Sequence, residues 1–496
     1  MSRETWILLI FIVYMAFMVG VGLVFYRKNK GIEDYILGGR SLNPWVAALS
    51  AQASDMSGWL LTGLPGLAYL SLAGCKEAAW TAIGLAVGTY LNWLFVAKRL
   101  RNYTEVSNNS ITLPDYFENR FRDHSKILRV ITAVVILVFF LIYTSSMFVA
   151  GATLFSSVFG LDYKVALVVG AAIIVAYTFS GGFMAVSWTD FFQGMLMFFA
   201  LLIVPIIALF ALNNPAEALQ KTGFTLSSLL PSMDGVTGTG WMLIISSLAW
   251  GLGYFGQPHI LARFMAIKRA KDIRPARLIA MVWVVISLFA AVFVGLVGQA
   301  YFAGSPLSNS ETVFMNMVNS LFNPIVAGVL LTAILAAIMS TADSQLLVTS
   351  SVIASDFYKQ LFRKKASEKE LLLVSRVTIL LVSVAAVWMA LNPESGIFGI
   401  VSYAWAGLGA AFGPVVLLSL FWRRMTRKAA IVGMAAGGIL TIVFNKLKFL
   451  GGIFGVYEIL PAFIIATILI VAVSLLDKQP EQEILDEFDQ VKAMSK

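Results

Sequence analysis

Residues 49–66 read LSAQASDMSGWLLTGLPG and lie inside an apolar run. The stretch holds one carboxylate, Asp55, flanked by Ser54, Ser57, Gly58 and Gly63, with Pro65 close behind. An ionised Asp at the centre of a membrane helix costs about 2.5–3.5 kcal/mol on insertion scales. Glycine in a helix interior costs about 1 kcal/mol and proline about 3 kcal/mol relative to alanine. A charge placed where the helix is weakest suggests a break with a polar purpose.

The rest of the chain supplies the setting. Of 496 residues, 59% are hydrophobic and 13% charged, whereas a soluble domain is nearer a quarter charged. Apolar stretches long enough to cross roughly 30 Å of hydrocarbon recur from end to end. About thirteen spans are expected, near 6–26, 46–70, 78–97, 127–155, 164–182, 188–212, 240–266, 279–303, 324–354, 373–391, 396–422, 429–445 and 455–476. The expected fold is therefore all-α, a polytopic helical membrane protein. The first span is longer than a signal-peptide core, lacks a small-residue cleavage site and ends at Arg27-Lys28-Asn29-Lys30, so it is read as retained.

Basic residues set the orientation. One set of loops carries Arg27, Lys28, Lys30, Arg40, Lys98, Arg99, Arg101, Arg120, Arg122 and Lys126, and later Lys268, Arg269, Lys271, Arg363, Lys364, Arg423 and Arg424. The other set carries little beyond Arg3, Lys76, Lys164, Lys221, Lys446 and Lys448. The N-terminus is expected outside and the C-terminus on the cytoplasmic side. The net charge of +9 is then topological. It forms no basic stripe interleaved with aromatics, which argues against nucleic acid as a partner.

Several features carry little by themselves. Cys75 is the sole cysteine and excludes an intrachain disulfide. His124 falls in a basic loop, and His259 has no Cys, Asp or Glu at metal-ligand spacing. Gly251-Leu-Gly-Tyr-Phe-Gly256 matches a dinucleotide fingerprint but sits in an apolar span with Pro258 after it, not in a βαβ unit. The loop Thr112–Glu118 reads as a short interfacial helix, and the tail 478–496 as a solvated cytoplasmic helix. No obligate protein partner is evident. An ATP-driven engine is excluded, since there is no phosphate-binding G-x-x-x-x-G-K-[ST] and no soluble domain to hold one.

The irregular spans point to transport. Span two carries Ser, Gly and Pro around Asp55, and span seven reads Ser246-Ser-Leu-Ala-Trp-Gly-Leu-Gly-Tyr-Phe-Gly-Gln-Pro258. Counted from span two, span seven opens a second set of five. Interrupted helices at matching places in two halves mark inverted-repeat transporters with a site near the midplane. Since no Lys or Arg lies in the middle of spans two, seven or nine, the partner of Asp55 is expected to be a mobile cation or a proton. In span nine, helical spacing puts Ala337, Ser340 and Thr341 on one face. Their oxygens, with carbonyls freed in span two, suit a hard monovalent cation, although Ser and Thr also pack membrane helices together. A membrane enzyme would need a nucleophile–base pair or a metal cluster, and the histidines are misplaced for either.

Four stretches then become familiar: Ile36-Leu-Gly-Gly-Arg-Ser41, Ala53-Ser-Asp-Met-Ser-Gly-Trp59, Trp250-Gly-Leu-Gly-Tyr-Phe-Gly-Gln-Pro-His259 and Met339-Ser-Thr341. Together they resemble the solute:sodium symporter family over nearly the whole chain. The second and third are narrower and resemble its proline branch. The resemblance implies sodium-coupled symport of L-proline by alternating access, on a leucine-transporter-type five-plus-five inverted-repeat core. That core would occupy 46–422, with repeats at 46–212 and 240–422, after a first helix and loop at 1–45 and before two peripheral helices at 423–477. It implies a sodium site of the Ala53, Met56 and Ala337 carbonyls with the Ser340 and Thr341 hydroxyls, Asp55 alongside. It implies a proline site of Ser57, Gly58, Tyr143, Trp250, Tyr254 and Pro258, and a coupling role for Arg40. One departure stands out: the proline branch has a small residue where this chain has Asp343, while other branches read Ser-Thr-Ala-Asp-Ser as here. Asp343 with Asp190, of Ser187-Trp-Thr-Asp190, forms either a second cation site or an ion-free polar network. The alternative substrate is another small solute such as pantothenate, another amino acid or a sugar, although a sugar site would want several amides and carboxylates.

Overall fold

The computed structural model describes residues 1–26, 32–178, 182–231, 240–393 and 396–495. The basic run Arg27-Lys28-Asn29-Lys30 lies outside them. Among the described residues the regular structure is helical, save for one isolated bridge between Leu42 and Ile267. Ten helices are long and apolar enough to cross a membrane. Two of the other expected spans are the shorter apolar helices Tyr163–Thr178 and Trp241–Gly256. The remaining one is divided into Pro44–Asp55, Gly58–Leu61 and Gly63–Leu70.

Burial separates the centre of the bundle from its rim. In Pro324–Phe362 and in Ile397–Phe421, 83% of the most apolar window is buried, against 22% in Arg3–Phe25. The first helix is thus a lipid-facing addition, and the helix carrying Ser340 and Thr341 is the axis. Two helices run farther than hydropathy suggests. One continues from Leu72 to Val106 through the wide turn Asn92–Val96, and the axial helix continues through Val352–Phe362. In both, charged residues end the apolar stretch without ending the backbone hydrogen bonding, which hydropathy cannot register.

The C-terminal tail is docked and not solvated. Helix Gln482–Met494 buries Ile484, Leu485, Phe488 and Val491. Glu487 takes an ion pair from Arg122 at 2.6 Å, and Asp489 one from Arg423 at 3.1 Å. The guanidinium groups of Arg99 and Arg120 lie 5.9 and 5.6 Å from the Phe488 ring. The apolar spacing in the tail was the signal for this; its high charge masked it. The helix Leu113–Arg120 is likewise internal, with Leu113, Pro114, Tyr116 and Phe117 buried.

Helix Leu72–Leu91 crosses span seven backbone to backbone. A Cβ on Gly88 would stand 2.3 Å from the Gly251 carbonyl oxygen, and one on Gly251 would stand 2.3 Å from that of Gly84. This is the small-xxx-small contact that lets membrane helices touch closely. Gly88→Val is expected to abolish recovery of monodisperse protein on size-exclusion chromatography. Gly438→Ala, whose Cβ would meet Phe139 and Val135 only at 3.9 Å, should be recovered like wild type.

Candidate functional site

Span two starts firmly. Asn43 caps the helix by accepting the Val46 N–H at 3.0 Å, and Pro44 takes the first helical position, where a missing N–H costs nothing. The helix stops at Asp55, and Met56 leaves helical geometry with φ −79° and ψ 73°. Its N–H still donates to the Gln52 carbonyl at 2.8 Å, and the Ser57 N–H folds back to the Asp55 carbonyl at 2.9 Å. Helix resumes at Gly58, where a Cβ would come within 3.0 Å of the Ala150 side chain.

The break frees carbonyls for span nine. The Ser340 hydroxyl lies 2.7 Å from the Ala53 carbonyl oxygen and 3.2 Å from that of Ala337. The Thr341 hydroxyl lies 3.4 Å from the same Ala53 oxygen. Four oxygens from two helices thus converge in a fully buried spot. A hydroxyl that donates to a carbonyl can rotate and offer its lone pairs instead, so the group could surround a small hard cation. The Met56 carbonyl accepts none of the inter-segment backbone hydrogen bonds among the described residues.

The Asp55 side chain points elsewhere. Its Oδ2 accepts from the Tyr254 hydroxyl at 2.6 Å, while its Oδ1 has no partner among the described residues. Its backbone carbonyl accepts from the Trp59 indole N–H at 3.2 Å and the Tyr143 hydroxyl at 3.3 Å. Asp55 therefore joins the break in span two to Tyr254 in span seven, one step removed from the Ser340 cluster.

Span seven is broken as its sequence suggests. Helix Trp241–Leu248 tightens into the narrower turns Ala249–Gly256, and a fresh helix runs Pro258–Ala266. Gly253 is required here, because a Cβ would overlap the Trp405 indole at 1.9 Å. That indole donates to the Trp250 carbonyl at 2.8 Å and meets the Tyr254 ring edge-on at 5.0 Å. The Asn92 amide, from the wide turn in span three, donates to the Tyr254 carbonyl at 3.0 Å.

Two crevices approach the site from opposite ends. One, about 510 Å³, is lined by Glu77, Ser246, Trp250, Phe398, Lys448 and Tyr457 among others. Its floor is aromatic, with the Trp250 ring 4.9 Å from Phe398 and 5.1 Å from Tyr457. The other is narrow and runs past Ile136, Pro258, Ala262, Leu347 and Ser351. Ser57, Tyr143 and Tyr254, all buried, lie in neither lining.

Arg263, absent from the sequence reasoning, is fully buried in the second half of span seven. It pairs with Asp190 at 3.1 Å, each side chain at 0% exposure. It also donates to Ser50 at 3.1 Å, Ser344 at 2.6 Å and the His259 carbonyl at 3.0 Å. Ser50 in turn donates to Asp190 at 2.7 Å. Asp343 is buried beside this group, next to Ser344, whose hydroxyl accepts from Arg263. Asp190, for which a second cation site or an ion-free polar network was expected, has a resident guanidinium as its partner. Arg263 escaped notice because it lies near the end of span seven, where hydropathy tolerates a charge.

Arg40 sits at a left-handed position, φ 51°, just before span two. Its guanidinium donates to the Met265 carbonyl at 2.7 Å, the Ser110 carbonyl at 2.8 Å, Thr104 at 3.1 Å and Asn109 at 3.0 Å. Burial, with Arg101 nearby, pulls its pKa down to about 10, which keeps it charged at neutral pH. It ties the foot of span two to the inner end of span seven.

A profile of the Sodium:solute symporter family matches residues 35–437. The chain belongs to the Sodium:solute symporter family. It is 50% identical to a sodium/proline symporter of Escherichia coli K12, over 99% of this chain and 97% of that protein. It is 48% identical to the high-affinity proline transporter PutP of Bacillus subtilis 168, over 95% of this chain and 98% of that protein. Among solved structures, a substrate-bound outward-open Na+-coupled sialic acid symporter superposes with a TM-score of 0.77 at 20% identity, over 96% of this chain and 99% of that one. That likeness shows the shared fold.

Within this symporter the Arg263–Asp190 pair is open to test. Removing one partner of a buried ion pair leaves an uncompensated charge and costs about 3–5 kcal/mol. Arg263→Leu should therefore lower the unfolding midpoint in detergent strongly. Combining it with Asp190→Asn should recover most of the loss. Equal loss in single and double variants would show that the pair is not what holds the region.

Proposed function

We propose that this symporter uses the inward movement of sodium to take up L-proline by alternating access. The observation that carries the reading is the convergence of the Ser340 and Thr341 hydroxyls on the carbonyl freed at Ala53, with the Ala337 carbonyl beside Ser340. Neutral oxygens in a dry site suit a hard monovalent cation. Relatives named for sodium and proline, aligned end to end, support both substrates. Met56 would complete the sodium shell after a small rotation of its peptide.

Proline is a compact zwitterion with an apolar ring. Tyr143, Tyr254 and Trp250 would enclose the ring and the secondary ammonium, by hydrogen bond and cation–π contact. Ser57, Gly58 and Pro258 would close the pocket at the two breaks. Asp55 would sense the ion and hold Tyr254 through its hydroxyl. Arg40 would lock the cytoplasmic ends of spans two and seven together until release. The resident charge on Arg263 supports reading Asp190 and Asp343 as a polar network and not as a second cation site.

The matched breaks in spans two and seven support a core of repeats 46–212 and 240–422, a first helix and loop at 1–45, and peripheral helices at 423–477. The basic loops support thirteen crossings of a bacterial inner membrane, with the N-terminus outside and the C-terminus in the cytoplasm. One sodium ion moving through about 100 mV releases roughly 2.3 kcal/mol, and a tenfold gradient adds about 1.4 kcal/mol. The sum, about 3.7 kcal/mol, supports a proline gradient of several hundred fold.

Uptake of labelled L-proline into proteoliposomes, with and without an inward sodium gradient at fixed pH and clamped voltage, tests the reading. Accumulation should require sodium. Ser340→Ala, which removes one neutral ligand, should raise the half-saturating sodium concentration about tenfold, equivalent to about 1.4 kcal/mol. The proline KM at saturating sodium should change far less. Sodium-independent uptake would overturn the ion assignment.

A further inference from the structure

Helix Pro258–Ala266 begins beside the residues that would hold the substrate. Pro258 has no N–H, and Ile260 and Leu261 donate to the Gln257 carbonyl at 3.1 and 3.0 Å. The His259 N–H makes no hydrogen bond outside its helix among the described residues. The same residue has 0% exposure, and neither ring nitrogen has a partner among the described residues. Its imidazole lies 5.5 Å from the Phe140 ring and meets the Tyr143 ring edge-on at 6.5 Å. It therefore faces the helix whose Tyr143 hydroxyl touches the break in span two. One turn behind it, Arg263 donates to its carbonyl.

A buried polar group without a partner is costly, and native structures keep few of them. In either neutral tautomer of an imidazole, one ring nitrogen is an N–H donor. The first turn of a helix favours negative charge. The aromatic residues are assigned to the ring and ammonium of proline, and among the other residues of that site only Ser57 offers the carboxylate a side-chain donor. We propose that His259 binds the carboxylate of the transported amino acid, its ring N–H donating to one oxygen at the first turn of helix Pro258–Ala266. The proposal rests on the proline reading and assigns the end of the substrate that reading leaves open. Bound this way, proline points its ring toward Tyr254 and Trp250 and its carboxylate toward the narrow crevice lined by Pro258 and Ala262.

Kinetics of the reconstituted full chain test it. A hydrogen bond to a charged group is worth about 10- to 100-fold in affinity. His259→Leu should raise the L-proline KM by about that factor with Vmax within a few fold, and His259→Gln, which keeps a donor, should lose less. L-prolinamide, which has the ring and amine but no carboxylate, should compete poorly with wild type, and that discrimination should shrink in His259→Leu. Unchanged KM and unchanged discrimination in His259→Leu would overturn the proposal and leave a buried water as the partner of the ring.

A second measurement needs no substitution at the site. The chain has two histidines, and the other, His124, is exposed. In ¹⁵N-histidine-labelled His124→Gln protein, saturating L-proline should shift the single imidazole signal and L-prolinamide should not. No proline-dependent shift in protein that takes up proline would overturn the proposal even if His259→Leu fails to fold. Absence of proline uptake by wild type would refute the substrate reading and, with it, this assignment.

Discussion

A backbone carbonyl with no hydrogen-bond partner costs several kcal/mol in hydrocarbon, and span two leaves carbonyls free where it breaks. The rest of the bundle is arranged around that debt. The axial helix brings Ser340 and Thr341 to the Ala53 oxygen, and Tyr143 and Trp59 bring donors to the Asp55 oxygen. Irregular backbone at membrane depth is tolerated where protein surrounds it, and this explains why the helix opposite the break is among the most buried. A site for a cation is the same arrangement with the hydroxyl protons turned away.

Charge inside the bundle follows a related rule. Asp190 has Arg263, and Asp55 has a tyrosine hydroxyl on one oxygen and nothing on the other. The first arrangement is self-contained and the second is incomplete. Asp55 is also bonded to the half-broken span seven, so a change in its surroundings reaches Tyr254 directly. At the end of the bundle that carries the tail, Arg129 gathers Asp115 and Glu118 from one helix and Asp356 from another, and the docked tail adds its own ion pairs. That end of the molecule is held by charge, whereas the opposite vestibule ends on tilted aromatic rings in contact.

Much of this was legible in the residues. Gly58, Gly63, Gly251, Gly253 and Pro258 point to both interruptions, since those residue types weaken a continuous helix. The pairing of Ser340 with Ala53 was accessible only through the resemblance, because 287 residues separate them. Arg263 and His259 were passed over for opposite reasons. Arg263 lay near a span end, where a charge is unremarkable in a hydropathy profile. His259 lacked neighbours in sequence that would make it a ligand, yet folding sets it against Tyr143 from another helix. The tail was misjudged because charge and amphipathic spacing compete there, and the cationic loops it docks on decided the outcome.

What the sequence by itself determined is everything that depends on local composition: membrane-spanning helices, their order, where they fail, and the kinds of atoms those failures expose. Such properties are set by neighbours within a turn or two, so periodicity and propensity report them. What only the tertiary structure decided is partnership: which oxygen faces Ser340, that Asp190 is paired with Arg263, and that among the described residues one Asp55 oxygen and both His259 ring nitrogens have no partner. Those contacts join helices far apart in the chain, and in a bilayer they are selected by close packing and by the need to satisfy every buried polar atom. Neither demand leaves a periodic trace along the sequence.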